Sequence, residues 1–232
     1  MITESIILAG GLGTRLKEVI KDLPKPLAPI NGVPFLTILI RYLSLQGIKH
    51  VILSVGYKYE SIKDLYGDNF EGIKISYAIE NEPLGTGGAI ALGLSFAQTK
   101  NVLVLNGDSF IKFRLSDLSI FDLQTRDIAI VLKQMQQFER YGSVMVEGDR
   151  IIAFAEKKWI DEGLINTGVY LLNKDIFKDK IGQKFSFEKD FLEKEIAHSY
   201  FRYILCNEYF IDIGIPEDYN KAQTTLYQAT NL

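Results

Sequence analysis

A short apolar run, Ile6-Ile7-Leu8, breaks off into Ala9-Gly10-Gly11-Leu12-Gly13-Thr14-Arg15-Leu16, and Pro24-Lys25-Pro26 follows soon after. The run reads as a buried strand that stops at Leu8. Glycines at 10, 11 and 13 let backbone N–H groups approach an anion closely, since no Cβ stands in the way. Arg15 and Lys25 add two cations for the same anion. Such a loop belongs at the carboxyl edge of an α/β sheet, where ligands of that architecture bind. The pattern therefore constrains fold and ligand together.

Two commoner phosphate loops do not fit. A Walker loop ends in Gly-Lys-Ser/Thr, whereas the last glycine here precedes Thr14-Arg15. A dinucleotide fingerprint needs glycine or alanine where Leu16 stands, with a helix opening at once. Instead Pro24, Pro26 and Pro29 interrupt the next segment, and proline does not sit inside a helix. A plain glycine turn is the remaining alternative. Arg15 and the Pro-Lys-Pro segment weigh against it and favour a nucleoside triphosphate.

Periodicity extends the α/β reading. Phe35, Ile38, Leu39, Tyr42 and Leu43 share one face of a helix over 34–46, with Pro34 suited to its first turn and Gly47 to its end. Strands follow at 50–55, 73–79 and 102–105, and helices at 58–66 and 86–97, the latter opened by Gly85-Thr86-Gly87-Gly88. This alternation predicts a parallel, doubly wound, Rossmann-like sheet over roughly residues 1–125. From 126 the rhythm changes. Strands at 128–133, 143–147, 150–154, 164–172 and 201–206, a hairpin at Gly148-Asp149, and helices over 187–198 and from Pro216 onward predict a mixed, mainly parallel sheet with an antiparallel second half. No linker separates the halves, so residues 1–232 read as one domain.

A net charge of −3 argues against nucleic acid as the main partner. The single Cys206 excludes an internal disulfide and suits a reducing cytoplasm. No basic leader precedes the first strand, and no apolar run approaches the ~20 residues of a membrane span. The expectation is a cytoplasmic protein with no membrane partner.

Asp108 in Asn106-Gly107-Asp108 ends the central strand and points to a hard cation, Mg²⁺ held by carboxylate and phosphate oxygens. An Asx turn is the alternative there. Asp212 lies in an apolar stretch just before Gly214, where a charge is costly unless paired or metal-bound. Pairing with a lysine is its alternative. Glu156-Lys157 and Asn166-Thr167-Gly168 offer a second phosphate contact and partners for sugar hydroxyls, and Tyr141-Gly142 marks a loop beside them. Read alone, the Glu-Lys-Lys run would be a solvated edge. His50 and His198 have no spaced ligand partners and read as structural or exposed, with no metal.

These segments together resemble the sugar-1-phosphate nucleotidylyltransferases. The matches are Leu8 through Leu16, Pro24-Lys25-Pro26-Leu27, Glu82-Pro83-Leu84-Gly85-Thr86-Gly87-Gly88-Ala89, Asn106-Gly107-Asp108, Glu156-Lys157, Asn166-Thr167-Gly168 and Asp212-Ile213-Gly214 with Pro216-Glu217-Asp218-Tyr219. They run in family order across nearly the whole chain. Within the family the chain is most similar to the D-glycero-α-D-manno-heptose 1-phosphate guanylyltransferases, through residues 23–30, Gly56-Tyr57-Lys58-Tyr59 and the glycine run ending at Ile90. Lys17-Glu18-Val19, Lys158 and Ile215 depart from common family patterns, which leaves the exact sugar open.

The resemblance implies the nucleotide-diphospho-sugar transferase fold, with a nucleotide-binding first half and a sugar-binding second half. It implies attack by a sugar 1-phosphate on the α-phosphorus of a nucleoside triphosphate, GTP here, with release of pyrophosphate. On this reading Arg15 meets the β- and γ-phosphates, Lys25 the α-phosphate and the incoming phosphate, and Asp108 with Asp212 holds Mg²⁺. Leu8, Ala9, Gly10, Gly11, Gly13, Thr14, Gly85, Thr86 and Gly107 line the nucleotide. Guanine presents N1–H and N2–H₂ donors, for which Glu80, ahead of the second glycine run, is the expected acceptor; a solvated acid at a strand end is its alternative. Tyr141, Gly142, Glu156, Lys157, Asn166 and Thr167 surround the sugar phosphate. The product would be a GDP-activated heptose for capsule or surface glycans. A mannose- or glucose-1-phosphate nucleotidylyltransferase, or a non-catalytic regulatory subunit on the same fold, stays open. So does assembly into a homo-oligomer.

Overall fold

The computed structural model describes residues 1–11, 16, 23–56, 58–155 and 158–230. Strand β1 (Glu4–Leu8) is followed by the 3-10 turn Lys25–Leu27 and a small hairpin, β2 (Pro29–Ile30) and β3 (Val33–Pro34). Asn31 and Gly32 turn that hairpin with φ of 49° and 82°, the left-handed pair that an Asn-Gly turn supplies. Pro34 then sits just ahead of α1 (Phe35–Leu45), where its missing N–H costs nothing. The chain continues through β4 (His50–Val55), α2 (Tyr59–Tyr66), β5 (Asn69–Phe70), β6 (Ile73–Ile79), α3 (Gly85–Leu94), β7 (Asn101–Asn106), β8 (Ser109–Ile111) and α4 (Leu115–Leu118). The second half adds β9 (Ile128–Phe138), β10 (Ser143–Glu147), β11 (Arg150–Ala155), β12 (Ile160–Asn173), a π-helical turn (Phe187–Leu192), α5 (Glu193–Glu195), β13 (Phe201–Leu205), β14 (Phe210–Asp212) and α6 (Pro216–Thr230).

Among the described residues the main sheet has ten strands in the order β10-β11-β13-β9-β12-β7-β1-β4-β6-β5. The four strands β7, β1, β4 and β6 are parallel neighbours, as strand–helix alternation requires. β12 turns the sheet antiparallel, pairing with both β7 and β9. One pair in the second half, β13 with β9, is parallel. Alternate residues feed two cores. Ile7, Leu53 and Leu105 pack with α1 and α6 on one face, while Ile6, Ile52 and Val104 pack with α3 and the π-helical turn on the other.

β9 and β12 run well past the predicted bounds. Their outer ends pair Glu162 with Gln136 and Leu164 with Gln134. Backbone ladders hold those ends, so the apolar pattern stops before the strands do. The predicted helix over 187–198 is a π-helical turn followed by one short α-turn. Phe187, Phe191 and Leu192 are buried on its inner side. No helix among the described residues is long and apolar enough to cross a membrane.

Candidate active site

β1 lies between β7 and β4, and the chain leaves it in opposite directions across the sheet. Ligands of open α/β sheets bind at such a reversal. Gly107 donates its N–H to Leu8 O at 3.0 Å, and a Cβ there would collide with the same carbonyl. Gly107 is thus required for the ends of β7 and β1 to meet. Ala9 donates to Ser54 O at 2.7 Å, which ties the start of the glycine loop to β4.

A cavity of about 660 Å³ opens above these ends, lined by Leu8, Gly10, Gly11, Lys25, Glu80 and Gly85 among others. Gly10 makes room for Glu80, because a Cβ would stand 3.1 Å from the Glu80 Oε1. Glu80 Oε2 accepts the Leu84 N–H at 2.9 Å. Burial pushes its carboxyl above the usual range, and the Leu84 N–H and Ser54 hydroxyl pull it partly back. Thr86 lines this cavity too, but its hydroxyl is bonded to Glu188 and to the Phe187 N–H.

A second cavity of about 500 Å³ opens on the β9–β12 side, lined by Tyr141, Gly142, Asn166, Thr167, Arg140 and Asp212 among others. The two cavities share Asn106, Asp108 and Glu188. At this junction β8 pairs with β14 so that Ser109 stands opposite Asp212. The Ile213 N–H donates to Asp108 O at 2.9 Å. This two-strand ladder joins carboxylates far apart in the chain. Lys25, brought in by its buried 3-10 turn, donates to Asp108 Oδ2. Asp212 Oδ1 accepts the Gly214 N–H at 2.6 Å. Burial and then the charge of Asp108 push the Asp212 carboxyl up, against Lys25, the Gly214 N–H and Arg140.

The sugar-side residues divide. Tyr141 packs edge-on to Phe210, and burial followed by the charge of Asp212 pushes its hydroxyl up to about 12, so it stays a donor. Asn166 Oδ1 accepts the Gly168 N–H at 3.0 Å, and its amide donates to Tyr170 Oη at 2.9 Å. Its second amide N–H is uncommitted among the described residues. Thr167 is only 2% exposed, and its hydroxyl donates to Val131 O at 2.7 Å. Thr167 still lines the cavity, with its hydroxyl committed to anchoring β12 to β9. Gly13, Thr14, Arg15, Glu156 and Lys157 lie outside the described residues. His50 is buried against Glu4 and holds a structural place, whereas His198 is exposed.

Sequence reasoning missed Arg140 and Glu188. Arg140 is held by Asp218 of α6 and lies over the Tyr141 ring. An arginine before an aromatic residue and a glutamate in an amphipathic run carry no motif of their own.

A family model for nucleotidyl transferases matches residues 4–229. The chain belongs to that family. This nucleotidyltransferase is 49% identical over 225 residues to the D-glycero-alpha-D-manno-heptose 1-phosphate guanylyltransferase of Aneurinibacillus thermoaerophilus, covering 96% of the chain and 98% of the relative. It is 54% identical over 218 residues to the enzyme of the same name from Campylobacter jejuni, covering 93% and 96%. The crystal structure of HddC from Yersinia pseudotuberculosis is similar at a TM-score of 0.85 and 40% identity, covering 97% of this chain and 100% of that one. HddC has also been crystallised in complex with GMP-PN. The nucleotide-diphospho-sugar transferase fold expected from the sequence is the fold observed.

Proposed function

We propose that this nucleotidyltransferase moves the guanylyl group of GTP onto D-glycero-α-D-manno-heptose 1-phosphate, forming a GDP-heptose and pyrophosphate. The observation that carries the reading is the meeting of two cavities at Asp108, with Lys25 and Asp212 beside it. One cavity has the glycine-lined form that suits a nucleotide, the other the side-chain-lined form that suits a sugar. Identity of 49% and 54% to two heptose 1-phosphate guanylyltransferases supports the sugar and the base.

The physical problem is repulsion between two phosphates. A phosphate monoester has its second pKa near ~6, so the attacking oxygen is already anionic at neutral pH and needs no general base. Catalysis then consists of neutralising charge and aligning attack with departure. Lys25 stands at the junction, where the α-phosphate and the incoming phosphate meet. Arg15 takes the departing pyrophosphate and Lys157 the sugar phosphate, both from the family resemblance. Glu80 supplies the acceptor that guanine N1–H and N2–H₂ require. Tyr141 donates to a sugar oxygen.

Nucleotidyltransferases of this family generally use a divalent metal. Asp108 and Asp212 suit one: two neighbouring carboxylates, Asp212 pushed up by burial and then by Asp108, are an incomplete hard-oxygen set that phosphate oxygens complete. We assign Mg²⁺ to them, where its charge would offset that of the phosphates. The product is a donor for glycosyl transfer in the cytoplasm, in keeping with the one unpaired Cys206.

Pyrophosphate release with a panel of triphosphates and sugar 1-phosphates tests the reading. GTP with the heptose 1-phosphate should give the highest kcat/KM. Preference for mannose 1-phosphate, or for UTP or dTTP, would reject it.

A further inference from the structure

The wall between the two cavities is made where the N-terminus of α3 faces that of the π-helical turn. Thr86 stitches the two together. Its hydroxyl accepts the Phe187 N–H at 2.9 Å and donates to Glu188 Oε2 at 2.7 Å. Ser186, which caps the turn, donates to the same Oε2 at 3.2 Å. The backbones are joined as well: Gly87 donates to Phe185 O and Phe185 donates to Leu84 O, each at 3.0 Å. Glu188 therefore rides on a support fixed from both sides, as a recognition residue requires.

Glu188 lines both cavities. Oε2 carries two hydrogen bonds, and Oε1 has no partner among the described residues. A half-buried carboxylate with an open oxygen favours a hydrogen-bond donor and repels phosphate. The donors that the substrates bring are hydroxyl and base N–H groups. Glu80 already faces the nucleotide cavity as an acceptor. On the sugar side Glu188 has a complementary neighbour. Asn166 lines that cavity, and beyond the amide hydrogen it gives to the buried Tyr170 oxygen at 2.9 Å it keeps a second amide N–H uncommitted among the described residues. A sugar hydroxyl both donates and accepts, and this pair answers both needs.

We propose that Glu188 is a specificity-determining residue for the sugar: its open Oε1 accepts a hydroxyl hydrogen of the sugar phosphate, with the uncommitted Asn166 amide N–H as the donor on the same cavity wall. Thr86 and Ser186 are positioning residues for that carboxylate. The inference rests on the sugar 1-phosphate reading above and names a recognition element within it. It also explains the wide helical turn, which keeps Phe187, Phe191 and Leu192 on the core while Glu188 faces the cavities.

The test is a substrate-by-variant cycle with GTP fixed. Glu188→Ala should lower kcat/KM for the heptose 1-phosphate about 10- to 100-fold, mainly through KM, as loss of a charged hydrogen bond predicts. GTP affinity, measured by calorimetry without sugar phosphate, should move less than about twofold. Among monodeoxy analogues, the one lacking the recognised hydroxyl should show no loss in the variant. Thr86→Val, which keeps Glu188, should give a smaller loss of the same kind. An equal loss across all analogues, a parallel fall in GTP affinity, or unchanged kcat/KM would overturn the proposal. If the unaltered protein uses no sugar 1-phosphate at all, the functional reading itself fails, which is a separate result.

Discussion

At the amino ends of the central strands Glu4 is buried with His50 and Thr99, while at the carboxyl ends Asp108 and Asp212 share a junction with Lys25. The chain satisfies the first group completely. Glu4 Oε1 pairs with His50 Nδ1 at 2.8 Å, and Oε2 accepts from Gln98 N, Thr99 N and Thr99 Oγ1 at 2.6–2.7 Å. His50 Nε2 completes the group with Ser76 Oγ at 2.9 Å. Burial would raise the Glu4 carboxyl, yet these bonds bring it down to about 2. Asp212 moves the other way, raised by burial and by Asp108. A buried carboxylate that its own chain satisfies serves stability, and one raised by burial and a like charge in a cleft is a candidate for chemistry.

The comparison breaks most readily at Asp108. Asp108→Asn should lower the rate of pyrophosphate release about 10³-fold at saturating Mg²⁺, the scale seen when one group that stabilises transition-state charge is removed. Glu4→Gln should leave kcat within about twofold when assayed well below its melting temperature. Near-normal turnover in the Asp108 variant, or a large kcat loss in the Glu4 variant, would dissolve the distinction between the two ends.

Stability should respond in the reverse order. Glu4→Ala should cost about 2 kcal/mol at pH 7 by urea unfolding, since it leaves the buried His50 without its partner and the Gln98 and Thr99 donors, nearer the surface, without their acceptor. The sign of the pH dependence follows from a folded value near 2 against an ordinary 4.5. The Glu4 contribution is fully present above the unfolded value and is lost as pH falls from about 4.5 toward 2. The stability gap between the unaltered chain and Glu4→Gln should therefore close over that window. A gap that stays constant down to pH 3 would show that the network, not the charge, supplies the stability.

These two ends were not equally legible in the sequence. Gly10, Gly11, Lys25, Asp108 and Asp212 stand in short motifs, because close backbone approach and charge clustering leave local marks. The parallel half was legible too, since helix and strand periods alternate there. The Glu4–His50–Thr99 group was not, as its members sit on β1, on β4 and ahead of β7, and only the strand register joins them. Glu188 was hidden for the same reason: its partner Thr86 lies 102 residues away. The β8–β14 ladder is too short for any period to reveal, although it is what sets Asp212 beside Asp108.

The smallest effect is the sharpest test of the comparison, because it asks whether the carboxyl-end group opposes folding while it serves chemistry. Asp108 and Asp212 repel each other, and Lys25 offsets that repulsion only in part. Asp212→Asn keeps the shape and the Gly214 N–H acceptor but removes one negative charge. In EDTA the variant should be as stable as the unaltered chain or more stable, by up to about 1 kcal/mol, even as turnover collapses. Mg²⁺ with GTP should then raise the melting temperature of the unaltered chain more than that of the variant, because binding stabilises only the form that holds the ligand tightly. A variant that is clearly less stable in EDTA would mean that Asp212 is a structural carboxylate like Glu4, with its shortage of positive charge already met inside the protein.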